Sequence, residues 1–547
     1  MRSSPGFRPS LVDILVAGAP AALLALLALL PFANKAFTID DMTFMVMARH
    51  ALTDFWHPSA IELVFEGVRE RVSTGMVSGP IMPWLLLPSA ARGGVEWIAH
   101  APVFALDALG AFATAAIALR LGLARRAAMI AALVVAVAPS VLVMASTDMP
   151  DVPAMTLGAL AIERAIAWRS ERRLHQALAT SLLLALAGLA RPHVTLLGVP
   201  IAILLLFDGE RGPWSRAWWR SAPRQLANLG VLALAGVLFF AVVWLTRDPE
   251  GHNVASISLA RFGNGNNLVN LLGFQVHWCI VMPFALPWAA LHLARLVRDR
   301  LGWLTLIAGA LLPMAYGAWS RLWWLLPLSA LSVWSICDVL IDGWRRRDEA
   351  QLALGVTLLI ALPAAFYVHL PSKYLVPSMP AAAILLVRAA ATRGRFGRTI
   401  VGLTLLYGLS LSLLMLHADD EHSEIGRHGG EIVQRYVDRG TRVWSDGGWG
   451  FEWYALRAGA TPLTNFPPWA RAGDVIVSTY TGLIADRYIN KTLIEHWVDE
   501  TPGGRIQNPE SGACFYSDIC GFLPWSWSRI EVGHINVWQI TDNADAD

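Results

Sequence analysis

Two adjacent carboxylates, Asp40 and Asp41, follow the first long apolar run of the chain, Leu11 to Phe32. An apolar stretch of that length, whose one charge is Asp13 near its start, is enough to cross a bilayer, so the pair is expected at the membrane surface. A carboxylate there can take a proton from an acceptor hydroxyl or amine, or hold a divalent cation. Polar residues recur at later breaks between apolar runs: Asp148 and Asp151, Arg191 with His193, Arg321, and Lys373 with Tyr374. Basic groups beside such carboxylates suit an anionic leaving group such as a phosphate. Each residue also has a plainer role open to it. Asp148 can cap the helix that follows, Asp151 suits a first helical turn, and Lys373 with Tyr374 can anchor an interface. His50 and His57 flank a possible surface helix and, being isolated, make weak evidence for a metal site.

The elements that position these residues are apolar spans. The 547 residues are 55% hydrophobic and 15% charged, with a mean hydropathy of +0.48. That composition is a polytopic α-helical membrane protein's. A net charge of +2, without a folded basic domain, gives no support for nucleic-acid binding. Apolar segments fall near 11–33, 97–119, 127–146, 151–168, 175–190, 193–208, 225–246, 276–295, 302–319, 322–340, 351–370, 375–390 and 397–416, about thirteen spans by length. Arg2 and Arg8 precede the first as in a signal peptide. No small-residue cleavage site follows, so it reads as a retained anchor.

Basic turns at 120–126, 169–173, 211–224, 295–300, 345–347 and 393–398 place one end of the spans in the cytoplasm. The 211–224 turn carries Trp214, Trp218 and Trp219 as interface anchors. The N-terminus is then cytoplasmic, and Asp40, Asp148, Arg191 and Lys373 share the external side. The first external loop, 34–96, contains an amphipathic stretch from Met42 to Phe55, expected to lie along the membrane, and a short apolar stretch from Pro80 to Leu87. The tail, 417–547, is polar enough to form an external α/β domain. Ser423 to Arg439 has helical spacing, and Val443–Asp446 and Val475–Thr479 read as buried strands. Cys514 and Cys520 are close enough to permit, without requiring, a disulfide.

Thr38-Ile39-Asp40-Asp41, followed by Met47-Ala48-Arg49, resembles the first external loop of the polyprenyl-phosphate-dependent GT-C glycosyltransferases. The nearer likeness is to the protein O-mannosyltransferase and lipid A aminoarabinose transferase superfamily. This chain has Asp-Asp where that group has Asp-Glu. Gly79-Pro80-Ile81-Met82-Pro83-Trp84-Leu85 resembles the family's Lys-Pro-Pro segment, with Gly79 in place of the basic residue. Ser146-Thr147-Asp148-Met149-Pro150 is similar to its acidic turn, and Lys373 to Pro380 to its late basic-Tyr-Pro motif. Arg191-Pro192 falls where relatives place a basic residue. The likeness covers roughly residues 10–416.

The resemblance implies a GT-C fold over residues 1–416, carrying an inverting transferase of the bacterial inner membrane. The donor would be a sugar on a polyprenyl phosphate, the acceptor a cell-envelope molecule, with membrane lipids as surroundings. Asp40 would be the base and Asp41 its support or a metal contact. Lys373, Arg191 and Tyr374 would hold the donor phosphate, and Asp148 would orient substrate, Arg191 or a cation. No cofactor is required by this reading; a divalent cation is compatible with it, and its ligands are not specified. The alternative is a transporter or flippase of lipid-linked substrates, suggested by the break at Arg191, although no internal repeat supports it. A third reading, a membrane assembly protein, would make the tail the only functional part.

Overall fold

The computed structural model describes residues 8–541 except 66, 76–78, 208–221, 251–266, 316–323, 368, 467–469, 483, 488–489, 518–520 and 522. Arg321, Cys520 and the anchors Trp214, Trp218 and Trp219 lie outside the described residues.

Among the described residues, seven helices are long and apolar enough to cross a membrane, and nine if two bent pairs each count as one span. The seven are Leu11–Phe32, Glu96–Arg120, Ala222–Leu245, Leu325–Arg346, Glu349–Phe366, Ser372–Ala391 and Gly394–Asp438. Every apolar segment read from the sequence overlaps a helix. One that was read as continuous is bent by 61° between Arg125–Ala136 and Pro139–Ala145, because Pro139 has no N–H with which to continue the first helix. Small residues let the helices approach. Ala17, Ala21, Ala25 and Ala28 form a buried stripe on the first helix. A Cβ on the neighbouring Gly18 would stand 2.3 Å from the Phe112 ring. Large side chains on other faces, such as Leu23, Leu27, Phe240, Trp244, Ile307 and Leu406, point outward, as a surface in contact with lipid requires.

Among the described residues, basic turns gather at the end of the helices away from Asp40. The helix Asp151–Glu171 shows this: its first residue bonds Arg191, and its last pairs with Arg8 at 2.6 Å and Arg120 at 3.1 Å.

The loop after the first helix is mostly built into the protein core. Its helix Asp41–Ala51 buries Met42, Phe44, Met45, Met47, Ala48 and Ala51. This helix packs on Ile81–Ala90 and on the tail helix Trp449–Arg457. The apolar face expected on the membrane is therefore covered by protein. A two-stranded hairpin, Glu62–Phe65 with Val68–Arg71, was not anticipated.

The last long helix runs unbroken from Gly394 to Val437, across the boundary placed at 416. Its second half lies on a five-stranded sheet ordered Thr461–Pro462, Val443–Asp446, Val475–Thr479, Gly533–Ile540, Lys491–Asp499. The first three strands are parallel and the last two antiparallel to their neighbours. Ile425, Ile432 and Val433 of the helix meet Val443, Val475, Val477, Ile535 and Val537 of the sheet in one apolar cluster. The alternation of Ile535 and Val537 with outward residues sets the register of the strand that carries them.

Candidate active site

The turn before Asp40 is fixed by backbone strain and by its neighbour. Ile39 sits at φ 46, a left-handed conformation that a β-branched residue holds only under constraint. Asp41, the first residue of its helix, supplies that constraint. One of its carboxylate oxygens accepts the Thr38 N–H at 2.9 Å and the other the Asp148 N–H at 2.9 Å. Asp41 is completely buried, and burial with Asp148 nearby raises its carboxyl well above the ordinary range. The two acids are thus not equivalent. Asp41 welds the loop to the 146–148 turn, whereas Asp40 keeps 23% of its side chain exposed.

Facing Asp40 is Lys373, whose Nζ lies 3.6 Å from Asp40 Oδ2. Lys373 stands in the 3-10 segment Ser372–Ser378 that opens the helix Met379–Ala391. Tyr374 is next to it, and the Arg191 guanidinium lies over the Tyr374 ring at 5.2 Å. Arg191 terminates the helix Leu174–Ala190 in extended geometry ahead of Pro192, which cannot continue the hydrogen-bonding ladder. Asp151 holds the guanidinium as a fork, from Nε at 2.9 Å and Nη2 at 2.6 Å. His193 joins the group through the Tyr374 carbonyl at 3.2 Å, and His369 lies 3.3 Å from the Tyr374 hydroxyl.

Asp40, Lys373, Arg191 and Tyr374 therefore come together, while Asp41 and Asp148 form a second, buried layer behind them. Asp148 faces His100 Nδ1 at 3.1 Å, and His100 Nε2 faces the Lys35 carbonyl at 3.1 Å. The partner of Arg191 is Asp151, not Asp148. The Lys35 side chain enters a completely buried ion pair with Asp419 and donates to Ser146 Oγ at 3.1 Å. Tyr516, from the tail, donates to the same Asp419 oxygen at 2.7 Å. Burial and that carboxylate hold the Tyr516 phenol protonated, far above its ordinary pKa.

Sequence reading passed over Lys35, His100, Asp419 and Tyr516. A signal for the first was present: Lys35, Lys373 and Lys491 are the chain's only lysines, and two of the three stand in this region. The glycine at position 79 also has a steric cause, since a Cβ there would lie 1.9 Å from the Leu189 carbonyl oxygen. The tail presses on the loop in the same way, a Cβ on Gly450 falling 1.8 Å from the Phe37 carbonyl oxygen. Of the tail tryptophans, Trp444 and Trp453 are core residues and Trp527 is exposed. Among the described residues, no group of three or more His, Cys, Asp or Glu side chains is placed to hold a metal ion.

No family model matches the chain, and no curated protein matches it by sequence. Solved structures align with the chain at low identity. ArnT from Cupriavidus metallidurans bound to undecaprenyl phosphate is 14% identical, over 89% of this chain and 97% of that one, with a TM-score of 0.47. The archaeal oligosaccharyltransferase AglB from Archaeoglobus fulgidus, in complex with an inhibitory peptide and a dolichol-phosphate, is 12% identical over 85% and 69%, at 0.44. The S. cerevisiae protein O-mannosyltransferase Pmt1-Pmt2 complex bound to the sugar donor is 17% identical over 49% and 37%, at 0.35.

Proposed function

We propose that the protein transfers a sugar from a polyprenyl-phosphate-linked donor to a cell-envelope acceptor, with inversion, at the outer leaflet of the bacterial inner membrane. The observation that carries the reading is the facing pair Asp40 and Lys373, 3.6 Å apart, with Arg191 on Tyr374 beside them. One carboxylate and two cations meet at a partly open position, at the end of apolar helices.

In the reaction, an acceptor hydroxyl or amine attacks the anomeric carbon from the face opposite the phosphate. Asp40 takes the acceptor's proton. The bond from the anomeric carbon to the phosphate oxygen breaks, and its electron pair stays on that oxygen. Lys373 and Arg191 hold the charge that develops there. The leaving polyprenyl phosphate is already an anion, so no nucleotide is needed. Before donor arrives, Lys373 and Asp40 neutralise one another. A donor phosphate draws Lys373 toward itself and leaves Asp40 a free base, so base activation is tied to donor occupancy. Asp151 and Tyr374 hold the Arg191 fork in place, and Asp41 fixes the turn that carries Asp40. The basic turns at the opposite end of the helices favour a cytoplasmic N-terminus and a periplasmic tail.

The test is transfer by the purified protein in liposomes, with polyprenyl-phosphate sugars as donors and no nucleotide sugar present. Formation of a glycosidic bond with release of polyprenyl phosphate is expected. Failure across a broad donor and acceptor panel, by protein shown to be folded, would overturn the reading.

A further inference from the structure

The end of the helices opposite Asp40 is laced with ion pairs: Arg8 and Arg120 with Glu171, Arg169 with Glu349, and Arg388 with Asp348. One place departs from this pattern. A cavity of about 510 Å³ is lined by Trp168, Arg169, Ser170, Arg172, Arg224 and Ala227. Arg169 is neutralised by Glu349 and also donates to the Leu204 carbonyl at 2.8 Å. Arg172 has no such partner among the described residues. The charged groups that bear on it are Arg224 and Arg169, both positive, and with burial, the larger effect, they push its guanidinium down to about 10. Its Nη2 is buried without a hydrogen-bond partner among the described residues, which is costly for a charged donor.

The rest of the site is built. Buried Asn228 accepts from both Arg172 Nη1 at 2.7 Å and Trp168 Nε1 at 3.0 Å, and donates to the Leu205 carbonyl at 2.7 Å. The Arg172 guanidinium lies over the Trp168 ring, 5.0 Å from its centroid. Arg172 ends its helix at φ 54, a position that glycine fills without strain. A non-glycine residue is held there with one donor unused and a second cation beside it.

We propose that this cavity binds a phosphate group, with Arg172 and Arg224 as its cationic contacts. The site is roughly 30 Å from the Asp40 centre, the length of the 21-residue helix between them, and does not depend on the transfer reaction. A phosphate oxygen satisfies the idle Nη2 and neutralises the two like charges together. Basic pockets between apolar helices at the cytoplasmic face commonly hold anionic lipid headgroups in this way, and free phosphate would make the same contacts.

The experiment compares the full-length wild type, R172Q, R224Q and the double variant in neutral phosphatidylcholine nanodiscs. One arm titrates phosphatidylglycerol, read by native mass spectrometry; the other titrates inorganic phosphate, read by calorimetry. Arg224 is exposed, so R224Q keeps the test valid if R172Q folds poorly. Affinity in at least one arm is expected to fall about tenfold for R224Q, with partial recovery in R224K. Binding of phosphatidylglycerol alone identifies a lipid headgroup; binding in both arms identifies phosphate itself. Equal binding by wild type and R224Q in both arms, or no binding by wild type in either, would overturn the proposal.

Discussion

Replacing both members of the Arg191–Asp151 pair separates structure from function at the site. Asp151 is fully buried and Arg191 nearly so, and two hydrogen bonds at 2.9 and 2.6 Å join them. Asp151→Asn keeps the shape but turns an amide donor toward a guanidinium donor and leaves a buried positive charge unbalanced. Breaking a buried pair on one side costs about 3–5 kcal/mol, so the single variant is expected to unfold at clearly lower temperature. Adding Arg191→Gln removes the stranded charge, and the amide side chains can bond one another. Most of the lost stability should return, because replacing a whole buried pair is often close to neutral. Transfer should not return. Loss of one group that stabilises a leaving charge lowers kcat by about 10²–10³-fold. Thermal unfolding in detergent and initial transfer rates in liposomes, measured on wild type, both single variants and the double, form the assay. If the double variant recovers stability and full activity together, Arg191 only neutralises Asp151 and has no part in handling the phosphate.

Lys373→Ala should raise the donor KM and lower kcat, with Lys373→Arg restoring part of each, since the guanidinium keeps the charge and changes its reach; unchanged donor kinetics would make Lys373 an anchor. Lys35→Met should destabilise the protein by about 3 kcal/mol, because Asp419 stays buried with Ser146 and Tyr516 as its remaining donors among the described residues. Tyr516→Phe should cost about 1.5–3 kcal/mol for one bond to a charged group; unfolding temperatures equal to wild type in both would remove the buried link between tail and bundle. Burial, helped by Asp446, raises the Glu452 carboxyl to about 8, above its unfolded value, so the fold prefers the neutral acid. Its contribution is complete below the unfolded pKa and lost as pH rises through about 8. Glu452→Gln should therefore flatten the fall in tail stability between about pH 5 and 9, and a pH profile parallel to wild type would refute it.

The spans were legible because apolar runs between charged turns leave few other structures. Val443–Asp446 and Val475–Thr479 were legible for a related reason: both strands are wholly buried, and each opens on a short apolar run, Val443-Trp444 and Val475-Ile476-Val477. Pairings were harder. Asp148 and Asp151 lie three residues apart, one in a turn and one starting a helix, and only the packing of that helix decides which of them meets Arg191. The helix Gly394–Val437 changes its exterior from lipid-like to polar without a break, so a composition shift at 416 was read as a boundary although the backbone has none. Apart from the family resemblance, the unequal standing of Asp40 and Asp41 had no signal in the residues, because it depends on which backbone N–H groups the turn at Ile39 turns toward Asp41.

That inequality is also where the account is most exposed. The direct measurement is kcat for Asp40→Asn and donor KM for the same variant, in liposomes, with a polyprenyl-phosphate sugar donor. The substitution keeps the size of the side chain and removes its basicity. The expected result is a fall in kcat of about 10²-fold or more, with an unfolding temperature close to wild type, because Asp40 is partly exposed and its ion pair with Lys373 is 3.6 Å long. Asp41→Asn should instead lower the unfolding temperature, since each Asp41 oxygen accepts a backbone N–H at 2.9 Å and the amide offers only one oxygen in place of two. Full transfer activity in Asp40→Asn would contradict the assignment of Asp40 as the base.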